Sequence, residues 1–443
     1  MINTENLKLS FKCFSENKKN KNKLFRYTEK LKDTNINLPL NYKNQDIFYI
    51  SYNNNNFYFG IGECLKYELS SEDELLNFKK QTLDINDYGN NQNIPIQYFG
   101  GLCFDLQSTF NGPWDDIPKG KFVIPEILIY KKNNSLFISI QINNNQNSYK
   151  NVINEYSKLL ETLKLQKEDY QKCIKINQEK NYPNKKEYSN IFNYYINKIK
   201  NKAYNKIVLS RIKHITVNKN INFKQIFNNM DKNCTNFLFT LNNRYFIGST
   251  PEKLINIENR LFNTEAIAGT YKKNKNNFQE EKRNFLSDQK EIREHKYVSN
   301  YLYEILKKYS HQISMSKYPE ILELKDLYHL KTSIKGKFNN KRHIVDIANK
   351  LYPTPAVAGQ PKNKTLKEIR KKEEKSRGWY SGCIGWFDSN GNGRFDVSIR
   401  SGIINNKDIY LYSGSGIIEN SILDKEWLET EMKFKHLLNT IIN

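Results

Sequence analysis

Short apolar runs alternate with polar positions along most of the chain, and asparagine-rich segments separate them. Residues 45–65 and 97–145 contain several such runs, among them IFYISY, FYFGIG and LFISIQI. Alternation with a period of two is typical of half-buried strands. Two longer stretches predict hairpins. The first, NFLFTLNNRYFIGST (236–250), turns at Asn-Asn, and the second, GWFDSNGNGRFDVSIRSGII (385–404), turns at two Asn-Gly steps.

Apolar residues spaced three and four apart predict four helices, over 150–175, 190–203, about 278–309 and 424–442. The polar segment 176–190 is expected to be a loop, and 206–216 a strand. DIYLYSGSGII (408–418) predicts a strand that runs into a glycine turn. Because the strands come in hairpins rather than singly between helices, the pattern predicts an α+β fold with mainly antiparallel sheets.

The composition supports a folded core but also raises the question of a nucleic-acid partner. The 443 residues are 38% hydrophobic and 13% aromatic, which is enough for a core, and the net charge is +23. A basic protein of this kind suits nucleic-acid binding. However, the excess comes from 59 Lys against 11 Arg, mixed evenly with Asn and Ile, as A/T-rich codon usage would produce. Since no nucleic-acid-binding motif stands out, no nucleic-acid partner is expected.

Cysteine usage and apolar run lengths indicate the compartment. The six cysteines (13, 64, 103, 173, 234 and 383) are scattered, with no CxxC pair. This distribution argues against a disulfide scaffold and a zinc site and fits a reducing cytosol. The start of the chain lacks the apolar region of a signal peptide, and runs such as FVIPEILIY are too short to cross a bilayer. A cytoplasmic protein without a membrane partner is expected.

One stretch departs from the lysine- and asparagine-rich background. Nine of the 19 glycines and four of the 11 arginines fall between 353 and 416. Glycine allows backbone conformations and close approaches that other residues cannot adopt, and arginine supplies a planar fork of donors that lysine lacks. The stretch is therefore predicted to build a site, although each glycine taken singly is explained by an ordinary turn.

Two residues are candidates for acid–base chemistry. In NKIVLSR (205–211), alternation places Lys206 on the same face as Val208 and Ser210. A lysine over a partly apolar face loses solvation and can act as a base, but the pattern alone favours a lysine whose ammonium stays in water. Glu252 follows a proline in GSTPEKL. It suits a general acid, or simply the first-turn acid of a short helix.

Three further positions suggest metal or anion binding. Glu294 shares a helical face with apolar residues, which a metal ion or, more commonly, a buried salt bridge would compensate. Glu429 and Lys433 are spaced i, i+4, with Glu426 one turn before, as in an exposed ion pair. Arg400 is placed on a hairpin strand over 394–400, and the SGSG turn (413–416) could offer backbone N–H groups to a carboxylate.

The order of the motifs along the chain carries more information than any one of them. KIVLSR, FIGSTPEKL, TEAIAGT, DQKEIREH, YHLKTSIKG, LYPTPAVAGQPK, RGWYSGCIGWFDSNGNGRFDVSIRSGII and YSGSGIIENSILDKEWLETEMK follow one another. Together they resemble the chorismate-utilising enzymes, most closely the isochorismate-forming members of the menaquinone type. The resemblance is dense from about 203 to 438. It divides the chain into an N-terminal extension (1–44), an N-terminal part (45–190) and a chorismate-binding core (191–443).

The resemblance implies one large α+β domain of two stacked antiparallel sheets flanked by helices, and a Mg²⁺-dependent conversion of chorismate to isochorismate. Lys206 matches the base that activates water for attack at C2, and Glu252 the acid that protonates the departing C4 hydroxyl. Glu294 and Glu429 match the glutamates that hold Mg²⁺. The positions that match substrate-binding or cleft-lining residues are Gly269, Thr270, His329, Ala356, Tyr380, Arg400, Gly414, Ser415, Gly416 and Lys433.

Differences from related enzymes narrow the activity that the resemblance implies. Anthranilate synthases carry glutamine where this chain has Lys206, and one aminodeoxychorismate synthase subgroup has a lysine where it has Ala268. Salicylate synthases share Lys206 and stay open as an alternative, although Ala356 stands where lyase-type relatives tend to have threonine. No obligate glutaminase subunit is expected. A non-catalytic basic nucleic-acid-binding protein is the remote alternative.

Overall fold

The structure is a computed structural model. It describes residues 4–17, 23–31, 36, 38–42, 45–52, 56–78, 85–89, 95–143, 149–164, 174–273, 278–324 and 327–442. The helices are α1 (Thr4–Glu16), α2 (Glu72–Phe78), α3 (Tyr149–Lys164), α4 (Lys185–Lys200), α5 (Phe223–Asn229), α6 (Phe278–Ser287), α7 (Gln289–Lys307), α8 (Ile344–Leu351), α9 (Lys362–Lys372) and α10 (Leu423–Ile442). None of these helices is both long and apolar enough to span a membrane.

The strands up to residue 250 are β1 (Leu24–Leu31), β2 (Ile47–Tyr52), β3 (Asn56–Ile61), β4 (Leu65–Leu69), β5 (Ile85–Gly89), β6 (Gln97–Leu102), β7 (Gly120–Ile124), β8 (Ile127–Lys132), β9 (Ser135–Asn143), β10 (Ile176–Tyr182), β11 (Lys206–Val217), β12 (Thr235–Leu241) and β13 (Arg244–Thr250). The later strands are β14 (Lys253–Glu258), β15 (Leu261–Lys272), β16 (Ser310–Met315), β17 (Glu320–Glu323), β18 (Leu327–Phe338), β19 (Gly359–Gln360), β20 (Cys383–Asp388), β21 (Gly393–Val397), β22 (Ser401–Asn405) and β23 (Asp408–Ile417).

These strands form two sheets. The 13-stranded sheet has the order β10-β11-β23-β22-β13-β12-β2-β3-β8-β9-β1-β5, with β19 also paired to β11. The 10-stranded sheet has the order β16-β18-β15-β14-β21-β20-β6-β7-β4, with β17 also paired to β18. The pairing of β1 with β5 is parallel, and the other pairings are antiparallel. The predicted α+β fold with mainly antiparallel sheets is confirmed.

The two sheets pack face to face through an aromatic layer. Phe48 of β2 in the larger sheet stacks on Phe99 of β6 in the smaller sheet, with ring centroids 4.5 Å apart. Phe239, Phe246 and Ile384 are buried in the same cluster. Such aligned packing buries the inner-face residues of both sheets.

Helices cover the outer faces of the sandwich. Leu7 of α1, Tyr156 of α3 and Phe434 of α10 share a buried cluster with Ile215 and Leu238 of the larger sheet. Val298 of α7 and Val345 of α8 share another with Ile255 and Ile257 of the smaller sheet. The predicted helices flanking two stacked sheets are therefore present, whereas the boundaries at residues 44 and 190 stay a prediction.

Two element predictions are wrong. Residues 176–190 are not a loop, because β10 pairs along the edge of β11 and α4 begins at Lys185. Asn184 caps α4 and Glu187 completes a capping box, a local signal that the sequence does contain. The single helix predicted over 278–309 is two helices, because Asp288 accepts hydrogen bonds from two backbone N–H groups and starts a new helix, α7.

The other helix and hairpin predictions differ less from the structure. The helix predicted over 150–175 is α3, which ends at Lys164, and residues 165–173 lie outside the described residues. The Asn-Asn turn joins β12 and β13 as predicted, with both asparagines at positive φ. In the second hairpin the paired strands are β20 and β21. The chain then leaves that sheet and enters the larger one at β22.

Two predictions about the site are also wrong. Arg400 lies between β21 and β22 rather than on a hairpin strand, and its φ of 49° places it in the left-handed region. Residues 413–416 are not a glycine turn, because β23 continues through them in register with β11. No nest of successive N–H groups forms there, since the residues of an antiparallel strand point their N–H groups alternately to its two sides.

Candidate active site

A cavity with about 680 Å³ of space between the atoms, partly open to solvent, lies where the ends of the two sheets meet α7 and α10. It brings together twelve of the predicted site residues. They are Glu252, Gly269, Thr270, Glu294, His329, Ala356, Tyr380, Arg400, Gly414, Gly416, Glu429 and Lys433. These residues are spread over more than 180 positions of sequence, so the cavity is a product of the whole sandwich.

Lys206 lies just behind the cavity wall. Its side chain is 0% exposed, and its Nζ donates to Glu294 Oε1 at 2.8 Å. Gly416 lies nearby on β23, opposite Val208, where a Cβ would come within 2.8 Å of Lys206 Cε. The side chain therefore passes through space that only a glycine leaves free. The alternative of a strand-end lysine with its ammonium in water is excluded.

Glu252 lines the cavity and has lost almost all contact with solvent. It is 3% exposed and lies between β13 and β14, where its carbonyl accepts from Val397 N at 2.9 Å. No helix begins at this residue, so the first-turn-acid alternative is wrong. Burial raises the pKa of its carboxyl to about 8, although Lys206 and Lys433 oppose the shift. Glu252 therefore holds a proton at neutral pH, as a general acid must.

Four glutamates from two helices form a carboxylate cluster beside these groups. Glu291 and Glu294 are one turn apart on α7, and Glu426 and Glu429 are one turn apart on α10. Their mutual repulsion is visible in the pKa values. Burial first, and then Glu294, raises the pKa of Glu291 to about 7, and burial followed by Glu429 does the same for Glu426.

Lysines neutralise much of this charge. Lys433 Nζ donates to Glu429 Oε1 at 2.6 Å and to the Gly414 carbonyl at 2.9 Å. Burial raises the pKa of Glu294, but Lys206 and Lys290 outweigh it and leave that pKa below its ordinary value. The predicted alternatives of a buried salt bridge for Glu294 and an ion pair for Glu429 thus both occur, in the wall of the cavity rather than on the surface.

The donor set of the cluster fits a hard divalent cation. Mg²⁺ prefers carboxylate oxygens and is usually held by one or two of them. Glu426 is 1% exposed, and its Oε2 has no hydrogen-bond partner. Within the described part of the chain no three His, Cys, Asp or Glu side chains are already arranged as metal ligands. Lysine ammonium groups instead lie within 3.1 Å of these carboxylates. Four carboxylates suited to a cation are thus present, and one oxygen of each contacts a lysine ammonium.

The opposite wall carries an arginine fixed by a histidine. His329 Nδ1 lies 2.9 Å from the Gly269 carbonyl, and His329 Nε2 lies 2.6 Å from an Arg400 terminal nitrogen. Because a guanidinium only donates, Nε2 accepts and the proton sits on Nδ1. Burial, followed by the charge of Arg400, lowers the pKa of His329 well below its ordinary value. His329 is thus a neutral acceptor that fixes the direction of Arg400.

The remaining predicted residues divide between the cavity and its surroundings. A Cβ on Gly414 would lie 3.1 Å from the hydroxyl of Tyr380, so these two residues are in contact across the wall. Ser415 does not reach the cavity, because alternation along β23 points its side chain to the other face. There its hydroxyl lies 2.9 Å from that of Tyr188.

Sequence reasoning missed several residues of the site. Neither Glu291 of the carboxylate cluster nor Lys290, which contacts it, was predicted, although the i, i+3 spacing of Glu291 and Glu294 resembles that of Glu426 and Glu429. The apolar wall is formed by Val208, Ile267, Val357 and Ile399, with Pro251, Ala268, Tyr412 and Ser413 completing the lining. An apolar wall residue has the same sequence pattern as a core residue, so no signal distinguishes these positions.

The cavity and the sandwich around it define a known class of protein. A family model described as "Chorismate binding enzyme" matches residues 8–442, and the chain belongs to this family. Among relatives, the chain is 28% identical to the isochorismate synthase MenF of Bacillus subtilis over 358 residues, which is 77% of this chain and 74% of that protein. It is 28% identical to the isochorismate synthase EntC of Escherichia coli K12 over 240 residues, 53% of this chain and 61% of that one.

Solved structures share the fold. The menaquinone-specific isochorismate synthase MenF of Escherichia coli superposes with a TM-score of 0.81 at 21% sequence identity and covers 99% of both chains. Anthranilate synthase component I of Streptococcus pneumoniae superposes with a TM-score of 0.66 at 20% identity, covering 89% of this chain and 90% of that one. The resemblance to chorismate-utilising enzymes drawn from the motifs is confirmed.

Proposed function

We propose that the protein is an isochorismate synthase, which moves a hydroxyl group from C4 to C2 of chorismate by way of water. The observation that carries the proposal is that a candidate base and a candidate acid lie at the same cavity. Lys206 is a buried amine, and Glu252 is a buried carboxyl protonated at neutral pH. Exchange of a hydroxyl between two ring carbons needs a base at one carbon and an acid at the other.

In the proposed reaction Lys206 accepts a proton from water while the water oxygen forms a bond to C2. The ring double bond shifts, the C4–O bond breaks, and Glu252 donates its proton to the departing hydroxyl, which leaves as water. One water enters and one leaves, so the product is an isomer of the substrate. The proton gained by Lys206 then returns to Glu252 through solvent, which restores both groups.

Lys206 can act as a base only as the free amine, and in the structure its Nζ is held by Glu294 Oε1 at 2.8 Å. The pair must therefore loosen before the reaction. Glu294 and Glu429 would hold Mg²⁺, with Glu291 and Glu426 beside them. When bound, the metal supplies positive charge for a substrate carboxylate.

Arg400 and Lys433 supply the remaining charge for a dianionic substrate. Arg400 offers a fixed fork of donors, aimed by His329, and Lys433 reaches the cavity from α10. Ala356 and the apolar side chains of Val357 and Ile267 lie against the same space and suit the carbon skeleton of a small ring acid. A salicylate synthase would use the same charged groups and is the second candidate.

The test is incubation of the purified protein with chorismate and Mg²⁺, without an amine donor, and analysis of the products by liquid chromatography and proton NMR. The expected product is isochorismate, and the equilibrium should be approached from either side. Salicylate with pyruvate as the main products would favour the second candidate. Similarity to MenF proteins supports a place in menaquinone biosynthesis, which a growth test in a strain lacking its own isochorismate synthase would examine.

A further inference from the structure

Lys290 is a charged residue at the site to which the proposed reaction assigns no task. It is the second residue of α7, and its Nζ lies 3.0 Å from Glu426 Oε1 and 3.1 Å from Glu291 Oε1. The lysine thus joins α7 to α10. Its side chain is 23% exposed, so a path to solvent is open. It does not line the substrate cavity.

Counting charges shows what Lys290 does to the cluster. Glu294 pairs with Lys206 and Glu429 pairs with Lys433, while Glu291 and Glu426 both pair with Lys290. Three ammonium groups therefore face four carboxyl groups, and with all of them ionised the cluster has one surplus negative charge. The Oε2 of Glu426 is buried without a hydrogen-bond partner. This oxygen is a remaining acceptor on a group that already contacts the lysine.

We infer that Lys290 is a built-in counter-cation of the metal site, which holds the carboxylates together in the free protein and weakens their affinity for Mg²⁺. The inference rests on the proposed function for the presence of a metal. An ammonium is a compact point charge on a flexible stem, so it can withdraw when a dication arrives. Each approach of the metal must then overcome the repulsion of the lysine.

The same charge count predicts that metal and substrate depend on one another. A dication added to a cluster with one surplus negative charge leaves it positive, and a dianionic substrate then restores the original charge. Without Lys290 the cluster would have two surplus negative charges, which a dication alone would neutralise. The lysine therefore makes the metal-bound, substrate-free state less favourable, and the metal binds best together with its substrate.

The test uses Mg²⁺ alone as the probe. Chelator-treated wild-type protein and the K290M, K290R and K296M variants are titrated with MgCl₂ by calorimetry, without chorismate. K290M is expected to bind Mg²⁺ at least tenfold more tightly than wild type, because a unit repulsion is gone. K290R keeps the charge, and Lys296 is exposed on the same helix, so both of these variants should match wild type.

Thermal unfolding gives a second readout. In EDTA, K290M should unfold at a lower temperature than wild type, and Mg²⁺ should raise its unfolding temperature by more than that of wild type. A K290M protein that folds only with Mg²⁺ would also support the inference. A K290M protein that stays unfolded even in millimolar Mg²⁺ would contradict it, because the metal should replace the lost charge.

Equal or weaker Mg²⁺ binding by K290M would overturn the inference, as would the absence of Mg²⁺ binding by every variant. The outcome is separate from that of the activity assay. If the wild type made no isochorismate but showed the expected Mg²⁺ pattern, the proposed function would fail and the role of Lys290 would stand. If the wild type made isochorismate but K290M bound Mg²⁺ no better than wild type, the proposed function would stand and the role of Lys290 would fail.

Discussion

Replacing Glu252 with glutamine should make the protein inactive and, at neutral pH, more stable. Glutamine has nearly the shape of protonated glutamic acid, so it can occupy the same buried position. It cannot ionise, and it therefore removes the cost of keeping a carboxyl protonated where water would ionise it. It also has no proton of suitable acidity for a leaving hydroxyl.

The size of the stabilising effect follows from the shift in pKa. The carboxyl of Glu252 has a pKa of about 8 in the folded protein, against an ordinary value of 4.5. The pKa of the folded state is the higher of the two. Below pH 4.5 the carboxyl is protonated in both states and stability is complete, and it is lost as pH rises from 4.5 to 8 because only the unfolded chain releases the proton. At pH 7 the loss spans about 2.5 pH units at about 1.4 kcal/mol each, or about 3 kcal/mol. The group is 3% exposed, so solvent screens little of this.

The assay is thermal or urea unfolding of wild type and E252Q between pH 5 and 9. E252Q should gain on wild type as pH rises and should be about 3 kcal/mol more stable at pH 7, which is roughly 3 °C for a chain of this length. E258Q on β14 is the control, because that glutamate is exposed and its replacement relieves no burial. Wild-type turnover should decline above about pH 8 as the acid form is lost.

Two results would refute this reasoning. Equal stability of E252Q and wild type at every pH would mean that burial of the carboxyl carries no cost. Wild-type turnover that stays constant from pH 7 to pH 9.5 would mean that the proton on Glu252 is not used.

Three further predictions concern the walls of the cavity. K206M should lower kcat for isochorismate formation by about two to four orders of magnitude, the range for loss of a general base, with an unchanged circular dichroism spectrum; near-wild-type turnover would remove the base. G416A should fold but lose most activity in the same assay, because its Cβ would lie 2.5 Å from Glu294 Oε1 and 2.8 Å from Lys206 Cε. Wild-type rates would show that the lysine has room to move aside. R400K should raise KM for chorismate at least tenfold in steady-state kinetics, because lysine lacks the fork that His329 aims; an unchanged KM would place the substrate carboxylate elsewhere.

The parts of the fold that the sequence predicts correctly are those with a local cause. The Asn-Asn turn between β12 and β13 is one example, because asparagine tolerates positive φ and the flanking runs alternate. Strand β10 shows the opposite case. Its sequence INQEKNY has no apolar alternation, and it is a strand because its backbone pairs with the edge of β11, which no local pattern reveals.

The position of Arg400 could not be predicted for a similar reason. Residues 394–400 alternate as one strand would, but the chain changes sheets within them. The left-handed conformation of Arg400 belongs to this crossing. Alternation reports only which residues are buried, and residues on both sides of the crossing are buried, Phe395 in the cluster with α7 and α8 and Ile403 in the cluster between the sheets.

The site itself was found by resemblance and not by pattern. The alternation around Lys206 favoured a solvated lysine, and the structure instead buries it completely. Its surroundings come from β23 and α7, more than 80 residues away in sequence. Because such contacts depend on tertiary packing, the local sequence around Lys206 does not reveal that this lysine is buried.

The place of α10 in the chain has a consequence for synthesis. Glu426, Glu429 and Lys433 all lie on this helix, whereas the groups they face on β11 and α7 are made much earlier. Domains fold while the ribosome is still adding residues. A nascent chain can therefore assemble β11 and α7 early, but the carboxylate cluster is incomplete until α10 has emerged and docked. The proposed activity should therefore appear only once α10 has left the ribosome.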